Sequence, residues 1–201
     1  AEICYRKAIE LKPNFSSNHY NLGNILKDLG NLKEAELSTR RAIEIKPDFA
    51  EAYYNLGNIL KDLGKSKEAE SLYLKAIEIK PNFANAHYNL GNILIDLGGK
   101  LKEAELSTRK AIELNPDYAE AYSNLGNILR DLGKFNDAEL SYRKAIELKP
   151  DYANAHSNLG NILRDLGNLQ EAELSTRKAI ELKPNFAMAY SNLGNILNDI
   201  G

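Results

Sequence analysis

The sequence predicts an all-α fold, an α-solenoid of stacked antiparallel helix hairpins, and three observations carry that prediction. Six prolines, Pro13, Pro47, Pro81, Pro116, Pro150 and Pro184, fall 34, 34, 35, 34 and 34 residues apart, a period that belongs to stacked supersecondary units. Glycine keeps the same clock in two sets: Gly23, Gly57, Gly91, Gly126, Gly160 and Gly194, then Gly30, Gly64, Gly98, Gly133, Gly167 and Gly201. Between these markers the apolar residues recur at helical spacing. Gly99 alone lies outside the clock and accounts for the one longer interval. It is expected to lengthen a turn without shifting the helix that follows.

Taken in chain order, a unit such as 48–81 reads as helix, turn, helix. Asp48 is a candidate N-cap with Glu51 completing a capping box, and Ala52, Leu56, Ile59, Leu60 and Leu63 form the apolar stripe. Gly64 then closes the helix in the left-handed conformation that glycine adopts cheaply. The second helix carries Ala69, Leu72, Tyr73, Ala76, Ile77 and Ile79, has Lys80 at its negative end and stops before Pro81. Gly57 lies in mid-helix, where glycine costs about 1 kcal/mol relative to alanine. Its recurrence predicts a close approach of the paired helix, near small Ala69.

Composition narrows the function. Lys plus Arg (26) nearly balances Asp plus Glu (28), so no global field gathers nucleic acid or anionic lipid. Cys4 is the only cysteine, which excludes an intrachain disulfide and a cysteine-rich metal site. No stretch is long and apolar enough for a membrane span, so neither a membrane nor a nucleic-acid partner is expected, and a reducing, cytoplasmic compartment is. The chain starts at Ala1 and has Met188 as its only methionine, and is expected to be part of a longer protein.

The unit resembles the tetratricopeptide repeat. Its pattern of an aromatic, Leu-Gly, a large residue, Ala, an aromatic and Pro is met by Tyr53, Leu56-Gly57, Leu60, Ala69, Tyr73 and Pro81, and again by Tyr122, Leu125-Gly126, Leu129, Ala138, Tyr142 and Pro150. Other units put His19, His87 and His156 at the first aromatic and Thr39, Thr108 and Thr176 at the second. These departures alternate, which suggests a two-hairpin repeat. Full repeats are expected at 16–49, 50–83, 84–118, 119–152 and 153–186, with 1–15 as a second helix and 187–201 as a first helix. The resemblance implies a right-handed superhelix whose first helices line a concave face. It also implies a scaffold that binds proteins or extended peptides, with no cofactor.

On the polar side of the first helices Asn recurs at Asn21, Asn55, Asn89, Asn124, Asn158 and Asn192, and again at Asn24, Asn58, Asn92, Asn127, Asn161 and Asn195. Each amide offers one acceptor and two donors, enough to hold the backbone of an extended peptide whatever its side chains. The same recurrence also fits recent duplication, or hydrogen bonds between adjacent hairpins. The string Ser-Asn-Leu-Gly-Asn at 123–127, 157–161 and 191–195 is similar to the repeat region of O-linked N-acetylglucosamine transferases, where such asparagines hold acceptor polypeptide. Beside the stripe stand Tyr20, Tyr54 and Tyr88, then Ser123, Ser157 and Ser191, predicting a tyrosine-lined first half and a serine-lined second half. The tyrosines could stack on ligand side chains or fill the groove wall, and Tyr54 and Tyr88 join the asparagines as candidate binding residues.

No catalytic constellation is present: no Ser–His–Asp set, no Cys–His pair and no phosphate-cradling glycine loop. The chain is therefore not expected to be an enzyme. A second reading is a substrate-recruiting array of a glycosyltransferase or sulfotransferase whose catalytic domain lies outside this sequence. The histidines are expected to make helix contacts, not to bind metal. Pairs four apart, Glu36–Arg40, Glu105–Arg109, Glu139–Arg143 and Glu173–Arg177, suit an exposed helix surface. Finally, Leu193, Ile196, Leu197 and Ile200 in the last helix and Ile3, Tyr5, Ala8 and Ile9 in the first are expected to lie uncovered. Weak head-to-tail self-association would bury both sets.

Overall fold

A computed structural model describes residues 1–98 and 100–201. Gly99, and with it the expectation about its turn, lies outside the described residues. The chain divides into two compact units, Ala1–Gly99 and Lys100–Gly201. The first holds α1 (Glu2–Leu11), α2 (Ser16–Asp28), α3 (Leu32–Ile45), α4 (Ala50–Asp62), α5 (Ser66–Ile79) and α6 (Ala84–Asp96). The second holds α7 (Leu101–Leu114), α8 (Ala119–Asp131), α9 (Phe135–Leu148), α10 (Ala153–Asp165), α11 (Leu169–Leu182) and α12 (Ala187–Ile200). The described residues contain no strand, so the predicted all-α class holds.

Within the first unit each helix packs on the next, and α2 also touches α4; within the second unit the same is true, with α8 touching α10 and α10 touching α12. Tight turns make these hairpins. At the end of α2 the Gly30 N–H bonds the Lys27 carbonyl at 2.9 Å and the Asn31 N–H bonds the Leu26 carbonyl at 2.8 Å, a Schellman closure with Gly30 at φ +78°. Gly64, Gly133 and Gly167 repeat it at φ +76°, +75° and +81°. The second helices stop differently. Lys46, Lys80, Lys149 and Lys183 leave the helical region at φ between −131° and −140°, away from the α conformation that the following proline disfavours.

The expected capping box is absent. Phe49, not Asp48, is the N-cap of α4, and no side chain caps it; its carbonyl instead accepts from the N–H groups of Ala52 and Tyr53. Glu51 is engaged elsewhere, receiving Lys80 Nζ at 2.8 Å. That hydrogen bond holds the Glu51 carboxyl below the usual carboxylate range against the opposing effect of burial. Glu120 takes Lys149 at 3.0 Å in the equivalent place.

Leu22, Leu26, Ala35 and Ile59 are buried together in the first unit, with Tyr5 and Ile9 packed against them. Leu125, Leu129, Ala138, Tyr142, Leu159, Ile162, Leu163, Ala172 and Ile196 form the larger core of the second. Five expectations of uncovered residues are corrected by this packing: Ile196 is fully buried, Tyr5 and Ile9 are half-buried against the core of the first unit, and Ala8 and Leu193 are half-buried as well. Ile3, Leu197 and Ile200 are exposed as expected.

The mid-helix glycines admit the paired helix, but their neighbour alternates. A Cβ on Gly57 would sit 2.6 Å from the Tyr73 ring, and one on Gly126 2.5 Å from the Tyr142 ring, so tyrosine, not Ala69, demands the glycine here. On Gly23 and Gly160 it would meet the hydroxyls of Thr39 and Thr176, with the Ala35 and Ala172 carbonyls close behind.

Candidate functional site

Because α4 and α6 are first helices of successive hairpins, as are α8 and α10, asparagines on them come within hydrogen-bonding reach of one another. In the first unit the Tyr73 hydroxyl donates to Asn58 Oδ1 at 2.9 Å, and Asn89 Nδ2 donates to the same oxygen at 2.7 Å. Asn89 Nδ2 also reaches the Tyr54 hydroxyl at 3.2 Å. In the second unit the Tyr142 hydroxyl donates to Asn127 Oδ1 at 2.8 Å and Asn158 Nδ2 donates there at 3.0 Å. Both tyrosine rings are fully buried, and burial pushes their hydroxyl pKa values well up, which keeps them protonated donors.

The threonine hairpins lack this anchor. Thr39 and Thr176 turn their hydroxyls back to the Ala35 and Ala172 carbonyls, both at 2.8 Å. Asn55, 7% exposed, then leaves its Nδ2 buried without a partner. Asn192, 8% exposed, turns its Nδ2 to Ser157 Oγ at 3.0 Å. Asparagines of successive hairpins thus pair beside the hydroxyls of Tyr73 and Tyr142 and do not pair beside Thr39 and Thr176. That reach between helices carries no local signal, although the alternation of Tyr and Thr was visible in the sequence.

Of the candidate binding residues, Asn21, Asn24, Asn58, Asn89, Asn127, Asn158 and Asn161 are half-exposed, and Asn195 is exposed. Asn55 and Asn192 are buried, out of reach of a ligand in this conformation. Tyr88, Asn92 and Asn124 are half-buried, each with an interaction partner. Tyr20 packs on Phe49 with ring centroids 5.0 Å apart, and Tyr54 on Phe83 at 4.9 Å. The expected serine lining is corrected in part. Ser123 and Ser157 are 2% and 1% exposed, hence buried, while Ser191 is exposed.

The three histidines and the expected Glu–Arg pairs have structural partners. His19, His87 and His156 each place Nε2 on the carbonyl of the proline before their helix, at 2.7, 3.0 and 2.9 Å from Pro13, Pro81 and Pro150, as helix-contact histidines should. All four expected Glu–Arg pairs form, at 2.8–2.9 Å. Some extend to the next hairpin, as where Arg143 reaches Glu171 at 2.7 Å. No helix of the described residues is long and apolar enough to cross a membrane.

These features define a helical-hairpin repeat protein in which first helices of successive hairpins are joined through asparagines, α4 to α6 and α8 to α10. Family models described as TPR repeat match residues 23–64, 57–98 and 126–167, and models described as Tetratricopeptide repeat match 153–186, 84–118, 4–36 and 108–139. The chain belongs to the tetratricopeptide repeat family. Among solved structures it is similar to YrrB, described as a TPR protein with an unusual peptide-binding site, at 28% identity and TM-score 0.78 over 95% of this chain and 98% of that one. It is similar to MamA at 25% identity and TM-score 0.74, covering 86% of this chain and 93% of that one. It shares its fold with PilF of Pseudomonas aeruginosa, at 21% identity and TM-score 0.81 over 92% and 85% of the two chains. No curated protein sequence matches the chain.

Proposed function

We propose that this chain is a protein-binding scaffold that holds an extended polypeptide along its asparagine-bearing first helices. The observation that carries the reading is spare capacity: after the bonds between hairpins are counted, half-exposed Asn58, Asn89, Asn127 and Asn158 still have unused amide donors or acceptors. The peptide-binding site ascribed to YrrB supports it, as does the likeness of the Ser-Asn-Leu-Gly-Asn strings to the repeats of O-linked N-acetylglucosamine transferases. Each rung contributes about 0.5–1.5 kcal/mol net against the cost of ordering the peptide, so binding is weak and tolerant of sequence. Screening the immobilised chain against a randomised peptide array tests the reading. Expected is capture of many unrelated extended peptides, reduced by Asn58→Ala and Asn127→Ala; undiminished capture by folded variants would remove the asparagine face.

A second reading, self-association, is favoured by Gly194. Its four described packed equivalents would meet a paired second helix within 4 Å, whereas a Cβ on Gly194 would meet nothing. Tyr5 of a second copy occupies the repeat position of Tyr73 and could cover that glycine, with Asn195 beside it to accept the hydroxyl. The contact is heterologous and does not close on itself.

A further inference from the structure

We infer that Tyr73 and Tyr142 set the polarity of one donor–acceptor amide pair in each unit, and that each pair takes the C=O and N–H of a single residue in an extended polypeptide. The inference rests on the asparagine-face reading above and deepens it.

Hydrogen-bond capacity carries the argument. An asparagine amide has two hydrogens to donate and two lone pairs on its oxygen. In the first unit Asn58 Oδ1 receives the Tyr73 hydroxyl and Asn89 Nδ2, so its lone pairs are taken and only its NH2 remains to offer. Asn89 is the converse. Its two hydrogens go to Asn58 Oδ1 and the Tyr54 hydroxyl, leaving only its oxygen. The pair therefore presents a donor from α4 and an acceptor from α6, both on half-exposed residues. A residue of an extended chain exposes its C=O and N–H toward the same neighbour, and this pair complements both.

The second unit repeats the donor half of the arrangement; Asn158, with Ser123 in the place of Tyr54, keeps one amide hydrogen beside its oxygen. Asn127 Oδ1 is filled by the Tyr142 hydroxyl and Asn158 Nδ2, leaving Asn127 as donor on α8 and the Asn158 oxygen as acceptor on α10. Where Thr39 and Thr176 stand in place of tyrosine the pairing is lost, as Asn55 and Asn192 show. The tyrosines are positioning residues: their hydroxyls spend themselves on asparagine and do not face the ligand.

The test uses the whole chain and, as probe, a fluorescein-labelled peptide selected from a randomised library on the wild type, together with versions methylated at each backbone nitrogen in turn. Tyr73→Phe and Tyr142→Phe keep the ring on glycine and remove only the hydroxyl. Each should weaken the probe about three- to tenfold, the equivalent of one net hydrogen bond, with helicity retained. Asn58→Asp keeps an acceptor for Tyr73 and Asn89 but deletes the donor, and should weaken binding at least as much. At the contacted residue, N-methylation should cost affinity in the wild type and little more in Tyr73→Phe. Unchanged binding in Tyr73→Phe and Asn58→Asp, with Asn89→Ala still weakening the probe, overturns the polarity and leaves the asparagine face standing. If no library peptide binds, or if Asn58→Ala and Asn89→Ala also bind normally, both fall.

Discussion

The hydroxyl of Tyr73 donates to Asn58 Oδ1 across the hairpin at 2.9 Å, and this bond separates two kinds of repeat. Where it exists, the asparagine of the next hairpin joins the same oxygen; beside Thr39 and Thr176 it does not. The asparagines are thus partly structural, and their replacement acts on stability as well as on binding.

Asn89→Ala and Asn158→Ala should each lower stability by about 0.5–1.5 kcal/mol, since each deletes a bond between hairpins. Asn21→Ala should leave melting near the wild-type value. Thermal melts of the three variants side by side check this; equal, unchanged melting would show that the bonds between hairpins add nothing.

The same repeat position should answer oppositely to alanine at two places. Gly57→Ala forces a Cβ to within 2.6 Å of the buried Tyr73 ring, an overpacking that costs about 1–3 kcal/mol. Gly194→Ala meets nothing and should gain up to about 1 kcal/mol of helix propensity. Denaturant titration of both measures the contrast.

Gly64→Ala should destabilise by about 1–2 kcal/mol although the space around it is open, because φ there is +76°. Gly64→Asn, which tolerates that region better, should recover part of the loss. Equal melting of all three chains would contradict the left-handed closure.

Acid should loosen the hairpin contacts. The Lys80 hydrogen bond holds the Glu51 carboxyl below its usual 4.5, with burial opposing. At Glu120 burial is the largest single effect and pushes the pKa up, but the Lys149 hydrogen bond and charge together with a backbone hydrogen bond bring it down on balance. A carboxyl whose pKa is lower folded than unfolded adds stability above the unfolded value and loses it as pH falls through the folded one. Melting temperature should therefore fall from pH 4.5 downward, less steeply in Lys80→Gln. Both partners are about two-fifths exposed, so the pair contributes under about 1 kcal/mol.

Self-association should be weak and concentration-dependent. Sedimentation across a wide concentration range is expected to show growing species that Leu197→Asp, on the exposed side of α12, abolishes. A monomer at every concentration removes that reading.

The fold was legible in the sequence because its determinants are local. Proline spacing set the period, Gly30, Gly64, Gly133 and Gly167 marked turns that only a left-handed residue closes cheaply, and apolar residues at helical spacing marked the buried stripes. The asparagine stripe was legible for the same reason: one residue at one helical position repeats in every unit. What those asparagines do was decided by tertiary contact. Whether Asn58 is held depends on a hydroxyl from the opposite helix, and whether Glu51 caps or pairs depends on Lys80 arriving from the end of α5. Residues so far apart in sequence meet only once the hairpins have stacked, so no local pattern records their choice of partner.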